Sequence, residues 1–293
     1  MSTSTVLTER PRLIGIAYRL LGSLSDAEDV VQDAYGRWFA LSEPQRAAIE
    51  SPGAWLTTVA GRICLDVLGS ARVRRERYVG EWLPEPLPEQ GSDADPADRV
   101  TLDESVTMAF LVVLEAMTPA ERVAFVLHDV FGYPFGEVAG VLGRTPAACR
   151  QLASSARRRV RAAREPEPSR ARSAAIVREF KLAWEAKDIN GLVRLLDPQA
   201  TVTADGGGLV SAVLHPVTGG ELIARRTVEL TSRFPASTLL ERTVNGRPGL
   251  VMERAGVVVT VLAFELTGER IKRIWAVRNP EKLRPWLAGC PID

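Results

Sequence analysis

FGEVAGVLGRTPAACRQLASSARRRV, residues 135–160, decides how this chain is read. A short apolar segment runs into the turn Gly143-Arg144-Thr145, and a second segment follows that ends in Arg157, Arg158 and Arg159. Helix, tight turn and basic helix in that order describe a helix-turn-helix, whose second helix enters the DNA major groove. In that second segment Cys149, Leu152, Ala153, Ala156 and Val160 recur at three- and four-residue spacing and form the inward stripe. Ala147, Arg150, Gln151, Ser154, Arg157 and Arg158 are left facing outward. Thr145 stands at the N-cap position and Pro146 at the first helical position, where a missing N–H costs nothing. An ordinary helical hairpin with a solvated basic face has the same pattern, so the rest of the chain must decide.

With 293 residues and 46% hydrophobic content the chain can fill two or three cores, so several domains are expected. The net charge of +1 hides segregation. Residues 144–172 hold nine arginines against Glu165 and Glu167, whereas residues 85–104 hold seven acidic groups against Arg99. Local patches must therefore do any nucleic-acid binding. Cys64, Cys149 and Cys290 are odd in number and far apart, which gives neither a metal pair nor a disulfide framework and fits a reduced cytoplasm. Apolar runs near residues 257–264 and 110–114 fall far short of a membrane span, so a soluble chain is expected.

Residues 10–78 read as helix. Leu13, Ile14, Ala17, Leu20, Leu21 and Leu24 make one apolar stripe; Ala27, Val31, Ala34 and Trp38 make the next, after a Ser25 cap. Opposite that second stripe Asp26, Asp29 and Asp33 share a face, with Arg37 one turn on: a well-capped solvated face, or a docking surface. A third helix from Ser51-Pro52 buries Leu56, Val59 or Ala60, Ile63 and Val67, and Arg62 can pair with Asp66. Arg72, Arg74, Arg75 and Arg77 follow, with Trp55 and Tyr78 as aromatic neighbours, the ingredients of a single-strand contact surface and also of a plain helix end.

WLPEPLP, residues 82–88, alternates three prolines and must be extended. The acidic stretch behind it, to about Thr101, reads as a flexible linker, yet Trp82, Leu83 and Leu87 serve no purpose in a spacer and suggest docking. Helices resume at 103–117 and 119–130, and REPEPS at 164–169 makes a second break. Beyond residue 174 two helices precede strand-like runs at 200–204 and 209–214. A helix near 220–232 and strands at 238–244, 249–254, 257–266 and 270–277 follow, an α+β layout with Asn245-Gly246 and Thr267-Gly268 as hairpin turns.

With these residues in hand, the first 163 positions resemble a bacterial RNA polymerase sigma factor of the extracytoplasmic-function type. LSDAEDVVQDAYGRW, residues 24–38, looks like the polymerase-docking part of sigma region 2, and the helix-turn-helix looks like region 4, reader of the promoter −35 element. Residues 173–293 resemble the SnoaL-like branch of the cone-shaped α+β fold. One subgroup of these sigma factors carries such a tail with WLPEPL, DGGGK and NPDKL signatures. Here they stand as residues 82–87, as Asp205-Gly206-Gly207-Gly208-Leu209 and as Asn279-Pro280-Glu281-Lys282-Leu283, with Leu209 for the usual lysine and Glu281 for aspartate; in region 4, Ser155 replaces a frequent arginine.

The resemblance implies all-α region 2 in residues 1–78, a linker over 79–106, all-α region 4 over 107–163, a short linker over 164–172, and an α+β tail over 173–293 with a curved antiparallel sheet. It implies that Asp26, Asp29, Gln32, Asp33 and Arg37 meet core polymerase (β′ and β subunits), and that Trp55, Arg62, Arg72, Arg74, Arg75 and Arg77 handle −10 DNA. Thr145, Arg150, Gln151, Ser154, Arg157 and Arg158 would dock on −35 DNA. The tail loop Asp205 to Gly208 and the stretch Asn279, Pro280, Glu281, Lys282, Leu283 would grip Trp82, Leu83, Pro84, Glu85, Pro86 and Leu87 as a regulatory contact. No cofactor, metal or catalytic residue is implied; a small-molecule ligand of the tail is allowed. The competing reading is a helix-turn-helix transcriptional regulator with a ligand-sensing or weakly enzymatic tail, for which Asp205 and His215 are the titratable candidates. All four tyrosines precede residue 173, which deprives such an enzyme of a phenol donor.

Overall fold

Helix α1 (Arg10–Leu21) is buried from Leu13 onward and stops where Gly22 takes φ +71°, its N–H closing on the Tyr18 carbonyl. The structure, a computed structural model, describes residues 7–75, 78–89, 106–163, 166–233 and 236–287, without the side chains of 71–75 and 233. These residues fall into two compact units: 7–75 with 110–163, and 78–89 with 106–109 and 166–287.

In the first unit, helix α2 (Leu24–Ala40) is capped by Ser23, whose Oγ accepts the Asp26 N–H, not by Ser25 as the sequence suggested. The left-handed Gly22 turns the chain so early that Ser23 already has the extended backbone a cap requires. Ala27, Val30, Val31, Ala34, Tyr35 and Trp38 form its buried face. Short helix α3 (Glu43–Ala47) has a reciprocal capping box between Ser42 and Gln45. Helix α4 (Pro52–Arg75) buries Leu56, Ala60, Cys64 and Leu68, one position round from the expected Ile63 and Val67, which are half-buried. The rotation arises because Thr57 and Gly61 must also face protein.

Helix α5 (Met108–Glu115) and helix α6 (Pro119–Phe125) meet at a Thr118–Glu121 capping box. One wide π-type turn, Val126–Val130, extends α6. The fully buried Arg122 ties the unit together: its guanidinium donates to the Leu20 carbonyl at 2.8 Å and pairs with Glu115 at 2.6 Å, and burial pushes its pKa down to about 10. Helices α7 (Phe135–Leu142) and α8 (Pro146–Ala163) complete the unit.

In the second unit, α9 (Arg170–Glu185) and α10 (Ile189–Leu195) lead into β1 (Leu196–Asp205) and β2 (Val217–Thr218). Helix α11 (Gly220–Arg233) then crosses to β3 (Ser237–Val244), β4 (Arg247–Arg254), β5 (Val257–Thr267) and β6 (Arg270–Val277). The six strands lie in the order β2-β1-β6-β5-β4-β3. The sheet is mixed, which corrects the antiparallel expectation: the β3–β6 meander returns β6 beside β1 in the same direction. Only the α11 crossover makes that parallel pairing reachable. Phe180 packs edge-on against Trp184 and Phe264, at 6.0 and 5.5 Å between ring centres, so α9 is pinned to the sheet.

The strand expected at 209–214 is a loop. Gly207 and Gly208 hold φ of +63° and +72°, and the Leu209 and Val210 amides both close on the Gly206 carbonyl, which turns the chain out of extended backbone. Residues 82–87 are extended, as three prolines require, and Leu83 through Leu87 are buried within this unit rather than spanning solvent. Among the described residues no helix is long and apolar enough to cross a membrane.

Candidate nucleic-acid interface and linker-binding site

On α2, Asp29, Gln32, Asp33 and Arg37 are exposed and Asp26 is half-buried, drawn in by its own N–H bond to Ser23. Asp33 accepts two bonds from Arg37, at 2.9 and 3.4 Å, between side chains about half exposed. Such a pair is worth little to stability and leaves the face available. Phe39, 46% exposed and stacked on Tyr35, adds an apolar edge to it.

Of the residues expected at −10 DNA, Trp55 and Arg62 have described side chains. Trp55 is half-buried edge-on against Trp38 at 5.4 Å. Arg62 does not pair with Asp66; its guanidinium donates to the Gly140 carbonyl on α7 at 2.8 Å. Arg72, Arg74, Arg75 and Arg77 lie outside the described side chains. Helices α4 and α7 are in tight contact: a Cβ at Gly61 would stand 2.8 Å from a Val141 methyl, and Thr57 shares a 2.7 Å hydrogen bond with Tyr133.

The helix-turn-helix forms as its residues dictate. Gly143 at φ +61° ends α7, and Thr145 Oγ1 accepts the Ala148 N–H at 3.2 Å to start α8. Cys149, Ala153 and Ala156 are buried; Arg150, Gln151 and Arg158 are exposed, while Ser154 and Arg157 are half-buried. Arg157 is engaged within the unit, 2.5 Å from the Asp129 carboxylate, and Arg150 lies over the Phe135 ring. Ser155 also has a local partner. Burial alone would raise the Glu121 pKa, but hydrogen bonds from Ser155 and Thr118 outweigh it and hold the carboxyl below its ordinary value.

In the second unit the three signature stretches converge on Asp205, which is 0% exposed. Its Oδ2 accepts the Leu83 N–H at 2.9 Å and the Lys282 ammonium at 2.6 Å; its Oδ1 accepts the Tyr78 hydroxyl at 2.5 Å and the Gly207 N–H at 3.0 Å. Lys282 also donates to the Leu83 carbonyl and lies 4.0 Å from the centre of the Trp82 ring. Asn279 caps the 3₁₀ turn Pro280–Trp286 with its Oδ1 and donates to the Tyr78 oxygen at 2.9 Å with its Nδ2. Glu281 is exposed, and its backbone N–H supplies the capping bond; Leu283 is buried. The glycines are required by space as well as by dihedral angle. A Cβ on Gly207 would fall 2.4 Å from Asn279 Nδ2, on Gly208 3.0 Å from Val79, and on Gly206 2.4 Å from the Val210 carbonyl.

Four partners of this site escaped the sequence reading. Asn245, fully buried at φ +49°, accepts the Leu87 N–H at 3.0 Å, and its Nδ2 donates to the Val106 carbonyl at 2.8 Å; in the sequence it reads only as a turn residue. Trp286 Nε1 donates to the Pro86 carbonyl at 2.7 Å, and Thr243 binds Glu89. Tyr78, read beside the arginines of a single-strand contact surface, here donates to Asp205 and accepts from Asn279. Burial first, then its hydrogen bond to Asp205, drives its pKa well above the usual tyrosine value. Asp205, weighed as a proton-transfer base, is enclosed by donors, and His215 is exposed on a loop.

Residues 5–77 match the family model of Sigma-70 region 2, and residues 107–160 match Sigma-70, region 4. Over 308 residues, 100% of this chain and 95% of the other protein, the sequence is 38% identical to the ECF RNA polymerase sigma factor SigJ of Mycobacterium tuberculosis. It is 35% identical to the probable ECF RNA polymerase sigma factor SigI of the same species, across 95% of this chain and 93% of that protein. The crystal structure of SigJ superposes with a TM-score of 0.78 at 35% identity, covering 100% of both chains.

Proposed function

The chain belongs to the extracytoplasmic-function sigma factors, which direct RNA polymerase in transcription initiation, and from that premise we propose how its residues divide the work. Residues 1–78 act as region 2 and 107–163 as region 4. The exposed face of Asp26, Asp29, Gln32, Asp33 and Arg37 docks on a basic surface of core polymerase. Trp55, Arg62 and the arginines at 72, 74, 75 and 77 hold the opened −10 element, and Arg150, Gln151, Ser154, Arg157 and Arg158 hold the −35 element. The tail, residues 173–293, regulates by holding residues 78–89, and the protein works in the cytoplasm without catalysis.

A physical requirement follows from the first unit. Elements centred near −10 and −35 are about 25 base pairs apart, roughly 85 Å at 3.4 Å per pair. Arg62 and the helix-turn-helix are in direct contact here, at 2.8 Å. On this assignment promoter binding separates α4 from α7 and exchanges the Arg62–Gly140 bond for a phosphate contact. Control by the tail fits this requirement, because residues 78–89 form part of the connection between regions 2 and 4.

The observation that carries the regulatory reading is the fully buried Asp205 holding Leu83, Tyr78 and Lys282 at once. The deciding experiment adds the purified chain to core polymerase and measures run-off transcription from a matching promoter, beside a Trp82→Ala chain. Promoter-specific transcripts from the wild type, changed in yield by the linker substitution, support the reading. Equal yield from both chains removes the regulatory role.

A further inference from the structure

Between α9, α11 and the sheet lies a cavity of about 400 Å³, within the roughly 300–1,000 Å³ typical of small-molecule sites. Phe180, Trp184, Ile223, Met252, Leu262 and Ile274 give it an apolar body. Its charged lining is two guanidiniums, Arg226 and Arg278, against one carboxylate, Glu229. Arg226 and Glu229 are exposed at the rim, whereas Arg278 is half-buried, and desolvation pushes its pKa down. A cation held at that cost is stabilised by an incoming anion. Apolar walls with a net positive lining select an apolar molecule carrying one negative group over a neutral hydrophobe, and a cation is repelled.

The cavity shares its wall with the linker-binding site. Ala204 lines the cavity, and Asp205, the next residue on β1, points to the opposite face and grips Leu83. Arg278 lines the cavity, and Asn279, the next residue, grips Tyr78. Ala212 and Val213 line it too, and Ala212 abuts Gly206. Arg278 donates to the Ser211 carbonyl, so the cation that faces the cavity also ties down the loop following Gly206–Gly208.

We propose that this cavity binds an amphipathic organic monoanion, its head at Arg226 and Arg278, and that occupancy draws Arg278 from the Ser211 carbonyl and loosens the hold of Asp205 and Asn279 on residues 78–89. The second half rests on the linker reading above; the first does not. The test uses the full chain with three probes of one tail length, decanoate, decanol and decyltrimethylammonium, by titration calorimetry. Decanoate is expected to bind one to one, at least tenfold tighter than decanol, with the cation weakest. Arg226→Met, an exposed helical position that spares the fold, lowers decanoate affinity about tenfold and leaves decanol unchanged. Saturating decanoate speeds hydrogen exchange at the Leu83 amide at least threefold. Absence of binding, equal binding of all three probes, or decanoate affinity indifferent to Arg226→Met overturns the cavity assignment. Decanoate binding with Leu83 exchange unaltered overturns the coupling. Free exchange of Leu83 in the unliganded protein identifies failure of the linker reading itself, whatever decanoate does.

Discussion

Replacing Asp205 with alanine removes the one group on which all three signature stretches meet. Two of its four partners, the Leu83 N–H and the Tyr78 hydroxyl, come from residues 78–89. Hydrogen bonds to a charged acceptor contribute about 1.5–3 kcal/mol each. Asp205 is 0% exposed, so no solvent screening reduces them. Lys282 keeps the Leu83 carbonyl, and water can enter the vacated space, so the low end applies, about 3 kcal/mol for the pair. At about 1.4 kcal/mol per factor of ten, local opening of the linker becomes roughly a hundredfold more frequent. Leu87 stays protected, because its amide is held by Asn245 and its neighbour Pro86 by Trp286. Native-state hydrogen exchange reads this directly: the Leu83 amide accelerates about a hundredfold while Val261 and Leu262 in β5 are unchanged. Asp205→Asn, which keeps an acceptor and loses the charge, falls between. Leu83 exchange within threefold of wild type would refute the reasoning. Acceleration shared equally by β5 would show that Asp205 supports the whole unit instead of the linker.

Asp29→Lys with Asp33→Lys should abolish binding to core polymerase while shifting stability by less than about 1 kcal/mol, since both positions are exposed; undiminished core affinity in a pull-down removes the docking assignment. Gly61→Leu drives a side chain into Val141, 2.8 Å from where its Cβ would stand, at a cost of about 1–3 kcal/mol to the packed arrangement of α4 and α7. Promoter affinity in the holoenzyme should rise, and weaker binding with helix content retained contradicts the required separation. Tyr78 carries a raised pKa in the folded state, so its contribution is complete below about pH 10, the unfolded value, and fades as pH climbs toward the folded one. Leu83 protection, corrected for the intrinsic rate, is therefore constant from neutral pH to about pH 10 and then declines; Tyr78→Phe should show lower protection without that decline.

Local chemistry was legible in the sequence wherever a short-range rule applies. The Gly143 turn and Thr145 cap, the apolar stripes of α1 and α2, the extended prolines of 82–87 and the hairpins of the tail depend on dihedral preference and on periods of 3.6 or 2, all visible within a few residues. The acidic face of α2 was legible for the same reason, since spacing alone puts Asp29 and Asp33 on the side away from Val30 and Ala34. What depended on distant residues was decided by packing. The buried face of α4 turned by one position because Gly61 meets Val141, eighty residues away, and no local pattern carries that information. Asn245 read as a turn residue, Tyr78 as an aromatic beside the arginines, and Trp286 carried no signal at all, until the β6–β1 parallel pairing and the 3₁₀ turn brought them to the linker. A buried amide or carboxylate must find partners wherever the fold offers them. Which distant backbone groups those are is settled only when the sheet closes around them.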